Sequence, residues 1–561
     1  MSFDVLLRLS FSALAAAGNS TRQAAAYLER LAVYPDPAVW ISQAGAAQID
    51  EQLEVAGSRQ AAGLDMLLLG VPFAVKDNID VAGLPTTAGC KAFCKMPTAD
   101  APAVKRLRDA GAIVVGKTNL DQFATGLCGD RSPYGACANV FKPDYISGGS
   151  SSGSAVAVAS GLVSFALGTD TAGSGRVPAG CNNIVGLKPT PGFLDTTGVV
   201  PACPSLDCIS IFALTVADAW QIASIAHGST KAPTLGEMPT RFAVPRASDL
   251  EFFGDRGQEE LYRQSLARLE RMGLTKTEID FTPFRETAKL LYEGPWIAER
   301  FASLESFLGS HANDMHPVTR TLLEMGGKYK AADLFRGLAR LEGLRQECQA
   351  IIKNQILVVP TMPTIPKRAE VAADSLGWSR RMGTYTNFVN LLGMAAVSVP
   401  AGFTPVGLPG SVTFIGPGGS DRLLCGLGVS WQKNTNLSLG ATKTHLPEPS
   451  KPVEPTRTPV ADGCVRVSVA GAHLKGQPLH PDMVRFGAKF VRIADTAPRY
   501  RFMAFMNLTP PRPGLLWDET RNGSVRLEIY DLPLEGFGKL VASVAPPLAI
   551  GTVELEDGEK V

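Results

Sequence analysis

A proline-rich segment divides this chain of 561 residues into two unequal parts. From Leu446 to Val460 the sequence reads LPEPSKPVEPTRTPV, and the spacing of its prolines excludes a continuous helix. Repeated prolines favour an extended, semi-rigid linker. We therefore predict a large domain at residues 1–445, a linker at 446–460 and a small domain at 461–561.

In the large part, strand-like and helical runs alternate, which predicts an α/β fold. The runs VPFAVKD (71–77) and AIVVGK (112–117) flank a helical stretch near residues 101–110. A polar, periodic region follows at 249–353, and apolar strand-like runs return at 355–361 and 395–403, so the central sheet is completed late in the chain. The small part has short strand-like runs typical of a β-rich module, at 465–471, 500–507, 524–532 and 550–555.

Composition narrows the classes of function. Hydrophobic residues make up 45% of the chain and charged residues 19%, which favours a soluble globular protein with a sizeable core. A net charge of +1 provides no broad basic surface for nucleic acid or for an anionic membrane. The ten cysteines are too sparse for a disulfide scaffold and lack zinc-site spacings, so we expect reduced thiols and no metal.

The apolar residues 9–17 could be read as a signal core. Asp4 precedes them and no basic stretch does, so we predict a first helix instead. No stretch reaches the roughly 18 uninterrupted apolar residues that span a bilayer, and we expect a cytoplasmic protein without membrane contact.

Two short motifs fit familiar patterns in an unsuitable context. GAIVVGKT (111–118) matches a phosphate-binding loop, but its intervening residues form a strand by themselves. GSSSG (149–153) matches a nucleophile elbow and would make Ser151 a nucleophile, but no strand-like run precedes it and no histidine is near in sequence.

The segment from Gly148 to Gly180 contains two Ser/Gly-rich turns on either side of a small-residue helix. Such turns expose backbone amides that could hold an oxyanion beside a serine nucleophile. Lys76 ends an apolar strand, where desolvation would lower its pKa and make its neutral amine a base. Turns used only for shape, and a lysine that reaches solvent, are the structural alternative.

Three motifs in this order resemble the amidase signature family: KDNIDV (76–81), the GGSS turn from Gly148, and GTDTAGS (168–174) followed by Arg176 and Pro178. The resemblance covers about residues 20–440 and implies a mixed central sheet covered by helices. It also implies that Ser174 is the nucleophile, that Ser150, in a cis peptide, relays its proton, and that Lys76 is the final base.

Further roles follow from the same resemblance. The oxyanion hole would consist of the backbone amides of Thr171, Ala172, Gly173 and Ser174. Ser151, Asp170 and Arg176 would support the turn. Position 172 is Ala where many members have Gly, which narrows the pocket and favours a small substrate.

GTDTAGSGRVPA, LDQFATGLCGDRSPYG (120–135) and the second domain resemble the allophanate hydrolase branch in particular. This implies cleavage of the terminal amide of allophanate through an acyl-enzyme, with release of ammonia and, after decarboxylation, carbon dioxide. Tyr292 and Arg300 match, by their eight-residue spacing, the branch's substrate-binding Tyr and Arg, and Gly126 matches a residue whose backbone contacts substrate. The alternative for Arg300 is a solvated helix charge beside Glu299.

The small domain resembles the tail of the same branch, an α+β fold similar to γ-glutamyl cyclotransferases. His473 is then the candidate polar residue of a second site, and a structural or oligomer-forming role is equally open. Related tails continue beyond a segment like residues 551–561, which suggests a truncated tail.

We therefore expect an amidohydrolase that acts on allophanate as a homodimer, with no cofactor, no metal and no nucleic-acid partner. An amidase for another small carboxylated or aliphatic amide is the first alternative. A catalytically silent binding or scaffold protein is the alternative from another class, and a glutamine amidotransferase subunit for charged tRNA is a further one.

Overall fold

The computed structural model describes residues 31, 33–64, 66–230, 233–446, 460–505, 512–518, 524–544, 546, 548–556 and 559–561. The first helix expected from residue 9 and most of the expected linker lie outside the described residues. The chain forms two compact units, Met1–Leu446 and Pro447–Val561. No described helix is both long enough and apolar enough to cross a bilayer.

A mixed sheet of 11 strands forms the centre of the large unit. Its order is β1-β3-β2-β4-β6-β5-β10-β11-β9-β7-β8. β2 is parallel to both of its neighbours, whereas β10 and β11 are antiparallel to the strands beside them. The strands are β1 (Trp40–Gln43), β2 (Pro72–Lys76), β3 (Ile113–Thr118), β4 (Phe165–Asp170), β5 (Val185–Lys188), β6 (Cys208–Ala213), β7 (Arg241–Pro245), β8 (Thr275–Ile279), β9 (Ile356–Pro360), β10 (Ala395–Phe403) and β11 (Pro409–Gly416).

Helices cover the sheet, so the central strands β2, β3 and β4 are buried along their whole length and are mostly apolar. Phe73 and Val75 of β2 enter one core cluster and Ala74 enters another, because successive side chains point to opposite faces. The helices are α1 (Ala46–Ala61), α2 (Pro102–Asp109), α3 (Ser152–Ala159), α4 (Val177–Cys181), α5 (Val216–His227), α6 (Arg256–Arg271), α7 (Thr282–Glu293), α8 (Trp296–His311), α9 (Pro317–Gly326), α10 (Ala331–Ile351), α11 (Arg368–Ala373), α12 (Ser375–Met382), α13 (Asn387–Leu391) and α14 (Asp421–Thr435). The predicted mixed, helix-covered sheet is confirmed.

Helix α3 has the sequence SGSAVAVA and is buried at every position. Its small side chains let the helix backbone lie close to the sheet, where it packs on β4. The two Ser/Gly-rich turns are thereby held near the carboxyl end of β4.

The C-terminal unit is a small α+β structure. A three-stranded sheet has the order β12 (Cys464–Val469), β16 (Arg526–Pro533), β13 (Lys489–Asp495), and β14 (Tyr500–Phe505) pairs with β15 (Arg512–Trp517). Helices α15 (His480–Arg485) and α16 (Leu534–Ala542) contribute Met483 and Leu540 to its core.

The strand predicted at residues 550–555 is wrong. Only isolated bridges form there, at Glu554 and Leu555. The backbone of Val553 exchanges hydrogen bonds with Val561 instead, so this segment pairs with the residues that follow it.

Candidate active site

Lys76 ends strand β2 and is completely buried. Its Nζ donates hydrogen bonds to Ser150 Oγ (2.8 Å) and Thr169 Oγ1 (2.7 Å). Burial lowers the pKa of this amine to about 7, although Asp121, Asp207 and Asp170 act in the opposite direction. Near neutral pH a large share of Lys76 is therefore neutral and able to accept a proton.

The first Ser/Gly turn places Ser150 against the Lys76 amine. The peptide bond between Gly149 and Ser150 is cis, and Ser150 is fully buried. Gly148 has φ +74°, and a Cβ there would lie 2.9 Å from the backbone of Pro178, just beyond the second turn. The structure thus brings the two turns together, and this close approach requires glycine.

The second turn follows β4 and is held by Asp170. The Asp170 carboxylate accepts hydrogen bonds from the amides of Gly173 (2.9 Å) and Gly175 (3.0 Å), and two from the Arg176 guanidinium (2.9 Å each). Burial alone would raise the pKa of Asp170, but Arg176 brings it below its ordinary value. Ser174 lies on this turn, only 2% exposed.

Two details of the turn differ from the predicted catalytic arrangement. The Gly173 amide already donates to Asp170, which leaves the amides of Thr171, Ala172 and Ser174 without a hydrogen bond to another described residue. Within the described chain, the Ser174 hydroxyl likewise has no hydrogen bond to Ser150 or to any other residue. The Lys76–Ser150 half of the predicted relay is formed, and the Ser174–Ser150 half is not formed in this structure.

Arg300 is buried on helix α8, with only 2% of its surface exposed, so the alternative of a solvated helix charge is wrong. Its guanidinium donates to Thr125 Oγ1 (3.0 Å) and lies 5.6 Å from the centre of the Tyr292 ring. Its Nε is buried without a hydrogen-bond partner, and no described carboxylate forms an ion pair with it. A buried guanidinium in this state is suited to an anionic ligand.

Gly126 follows Thr125, the residue that contacts Arg300, and packs on a buried carboxylate. A Cβ at position 126 would lie 2.5 Å from Asp121 Oδ2. Asp121 accepts hydrogen bonds from the amide of Gly129 (3.1 Å), and its own amide donates to the Ser150 carbonyl (3.1 Å). Burial and the nearby Asp130 raise the pKa of Asp121 to about 6. Sequence reasoning missed Asp121, although an acidic residue just after a buried strand is the available signal.

The structure excludes the roles implied by the two short motifs, a phosphate-binding loop at residues 111–118 and a nucleophile elbow at residues 149–153. Lys117 of the apparent phosphate-binding loop is part of β3, is fully buried, and pairs with Asp77 (3.2 Å) and Thr86 Oγ1 (2.9 Å). Ser151 of the apparent nucleophile elbow donates its hydroxyl to the Thr169 carbonyl (3.2 Å). Neither side chain is available for the chemistry that its motif implies.

His473 belongs to the C-terminal unit and lies in a short 3-10 turn, Gly471–His473. It lines a mostly apolar cavity of about 590 Å³ together with Tyr500 and Trp517. The role predicted for His473 stays a prediction.

Comparison with known proteins identifies the family. Residues 24–425 match the family described as Amidase. This chain belongs to the amidase family. Residues 465–561 of this amidase-family chain match the family described as Allophanate hydrolase C-terminal domain. The predicted family and branch are thereby confirmed.

Individual relatives agree with this membership. The chain is 40% identical to urea amidolyase of Saccharomyces cerevisiae (strain ATCC 204508 / S288c), over 96% of its own length and 30% of the relative's. It is similar to a solved structure of Kluyveromyces lactis allophanate hydrolase, with 38% identity, a TM-score of 0.73, and coverage of 97% of this chain and 92% of the other. Urea amidolyase of Lachancea kluyveri is also 40% identical, and the amidase-family chain spans 30% of its length. The chain therefore spans about 30% of the length of these two urea amidolyases.

Proposed function

We propose that this chain is an allophanate hydrolase, which cleaves the terminal amide of allophanate (urea-1-carboxylate) and releases ammonia. The observation that carries the proposal is the buried guanidinium of Arg300, which has no carboxylate partner among the described residues. Allophanate presents a carboxylate one atom away from the carbonyl to be attacked, so Arg300 can anchor the substrate while the serines act on it.

The proposed reaction begins with attack of Ser174 Oγ on the terminal amide carbonyl. Its proton passes through Ser150 to the neutral amine of Lys76, which is 2.8 Å from Ser150 Oγ. The oxyanion is stabilised by the turn amides that are not bound to Asp170, those of Thr171, Ala172 and Ser174. The C–N bond then breaks, and Lys76 returns the proton to the leaving ammonia.

Water completes the cycle by hydrolysing the acyl-enzyme, with the same lysine and serine accepting and returning its proton. The product is N-carboxycarbamate, which then loses carbon dioxide. The net products from allophanate are therefore ammonia and carbon dioxide. The relatives named urea amidolyase and allophanate hydrolase support this assignment.

Another small carboxylated or aliphatic amide is the alternative substrate. An uncharged aliphatic amide would provide no carboxylate in contact with the Arg300 guanidinium, whose buried Nε has no hydrogen-bond partner among the described residues, and this is unfavourable for a desolvated charge. A silent scaffold would not require a buried lysine with a pKa of about 7 against a serine.

The cytoplasmic location and the homodimer remain predictions. Sedimentation equilibrium of the purified chain would test whether it is a homodimer.

The test is ammonia release from allophanate, biuret, malonamate and propionamide. Wild type should strongly prefer allophanate, and Ser174→Ala should be inactive. Arg300→Ala should lose at least about a hundredfold in kcat/KM on the carboxylated substrates allophanate and malonamate but not on biuret or propionamide, since a hydrogen-bonded charge pair is removed. Arg336→Ala is the matched control, because Arg336 is an exposed arginine whose one ion pair among the described residues is with Asp333. A wild type that prefers propionamide, with Arg300→Ala unaltered, would contradict the substrate assignment.

A further inference from the structure

A series of hydrogen bonds joins the helix of Arg300 to the turn of the proposed oxyanion amides. It runs through the loop at residues 202–207, which we call the bridge loop. Glu299 precedes Arg300 on α8 and accepts hydrogen bonds from the amide of Ser205 (2.7 Å), the hydroxyl of Ser205 (2.7 Å) and the thiol of Cys203 (2.8 Å). One end of the bridge loop is thereby fixed to the helix of the carboxylate anchor.

The other end of the bridge loop is fixed to the oxyanion turn by Asp207. Its carboxylate accepts hydrogen bonds from the amides of Ala202 (2.9 Å) and Cys203 (3.0 Å), and a short one from the hydroxyl of Thr171. Thr171 is the first residue of the turn after β4, and its amide is one of those left for the oxyanion. Asp207 is buried, with 8% exposure.

Neither Glu299 nor Asp207 forms an ion pair within the described part of the chain. Their donors are backbone amides, hydroxyls and a thiol, so both carboxylates hold local geometry, and the charge of Asp207 also acts on Lys76 and Arg300. Several hydrogen bonds to a charged acceptor give a well-defined position to each end of the loop.

We propose that Glu299 and Asp207 are positioning residues that keep Arg300 at one distance from the oxyanion turn, and that this distance selects amides with a carboxylate one atom from the attacked carbonyl. The inference rests on the proposed function. It adds that specificity depends on a fixed separation as well as on the presence of Arg300. Small errors in such a separation are costly, because a displacement of about 1 Å can lower a rate by about a hundredfold.

Neutralising Glu299 distinguishes position from charge. Glu299 is the neighbour of Arg300, so if it acted only through its negative charge, Glu299→Gln would strengthen the attraction between Arg300 and a substrate carboxylate. If it acts by position, the glutamine disturbs the hydrogen bonds from Ser205 and Cys203, and binding of the correct carboxylate weakens. In Glu299→Gln, a role through charge therefore predicts tighter binding of the carboxylate, and a role through position predicts weaker binding.

The experiment compares kcat/KM for allophanate, malonamate, succinamate and propionamide, with malonate and succinate as competitive inhibitors. Malonamate and malonate keep the one-atom spacing, succinamate and succinate lengthen it by one atom, and propionamide has no carboxylate. In Glu299→Gln we expect kcat/KM for allophanate and malonamate, and the affinity for malonate, to fall about tenfold or more. The kcat/KM for succinamate and the affinity for succinate should fall less, and kcat/KM for propionamide should change by less than about threefold.

Two further variants complete the comparison. Ser205→Ala removes one hydrogen bond from an exposed residue, cannot be expected to unfold the chain, and should shift the same ratio by about threefold in the same direction. Glu305→Gln, an exposed position on the same helix, should leave all ratios unchanged. Equal losses on all substrates in Glu299→Gln and Ser205→Ala, no loss, or tighter malonate binding would overturn the inference.

The result also separates this inference from the proposed function. Wild type that does not hydrolyse allophanate refutes the proposed function, and the inference is then judged by the malonate-to-succinate inhibition ratio on whichever amide is hydrolysed. Wild type that hydrolyses allophanate but does not distinguish malonate from succinate refutes the inference alone.

Discussion

The pKa of Lys76 makes a direct prediction about how activity depends on pH. The buried amine titrates at about 7 and acts as a base only when neutral. Its neutral fraction is then about one tenth at pH 6 and about nine tenths at pH 8. An exposed lysine with a pKa of 10.5 would be neutral at pH 7 in only about one molecule in 3000, so burial increases the active fraction on the order of a thousandfold.

The assay is the initial rate of ammonia release between pH 6 and 10, with substrate well below KM. We expect kcat/KM to rise through a midpoint near 7 and to level off above about pH 8. The charged groups that act on Lys76 are Asp121, Asp207 and Asp170, all of which raise its pKa. Asp121→Asn should therefore move the midpoint to lower pH. Asp109→Asn, which changes a partly exposed carboxylate paired with Arg59 and Lys105, should not move it.

Activity that continues to rise between pH 8 and 10 would mean that the base titrates like an ordinary lysine. The argument from burial would then fail, whatever the substrate. An unmoved midpoint in Asp121→Asn, with activity retained, would refute the assignment of the midpoint to Lys76.

Two predictions concern stability, measured by urea unfolding. Because the folded-state pKa of Lys76 lies below its unfolded value, the cost of burying its charge is complete below about pH 7 and disappears as pH rises towards 10.5, so wild-type stability should rise in that window. Lys76→Met should be inactive and should not show this dependence of stability on pH. Even with the loss of two hydrogen bonds, it should be more stable than wild type by about 2 kcal/mol at pH 7, and a less stable variant would contradict the reasoning. Arg176→Met should lose about 3–5 kcal/mol of stability because it leaves Asp170 buried without its partner. Arg336→Met, at an exposed ion pair, should change stability by less than about 0.5 kcal/mol. Equal effects of the two substitutions would refute the difference between the buried and the exposed pair.

Much of the site could be predicted because its parts are local in sequence. An apolar strand that ends in lysine and two Ser/Gly-rich turns each have a direct local signature, and the predicted strands of β2 and β3 agree with the structure within two residues. The substrate-binding role of Arg300 was predicted from the family resemblance, since its helix by itself favoured a solvated charge, and the structure shows that Arg300 is buried.

The carboxylates around the site were harder to predict, because their partners are distant in sequence. Asp207 binds Thr171, and Glu299 binds Ser205, and neither pair has a spacing that reveals the contact. Asp121 and Asp170 did carry a usable signal. Each lies at or just after the end of β3 or β4, and these strands are parallel to β2, so their carboxyl ends meet near Lys76.

Strand β8 was missed for a different reason. Its sequence TKTEI is polar and largely exposed, because β8 is the edge of the sheet. It lies inside a region whose other elements are helical, and the alternation of so short a run was hidden by them.

The position of β10 and β11 has a consequence for synthesis of the chain. These strands join β5 to β9, so the first six strands and the group β7–β9 form one sheet only after residues 395–416 have left the ribosome. At roughly 5–20 residues per second, strand β11 follows β6 by about 10–40 seconds. During that interval the apolar edges of β5 and β9 have no neighbour, and they are the surfaces on which a chaperone would have to act to prevent aggregation of the nascent protein.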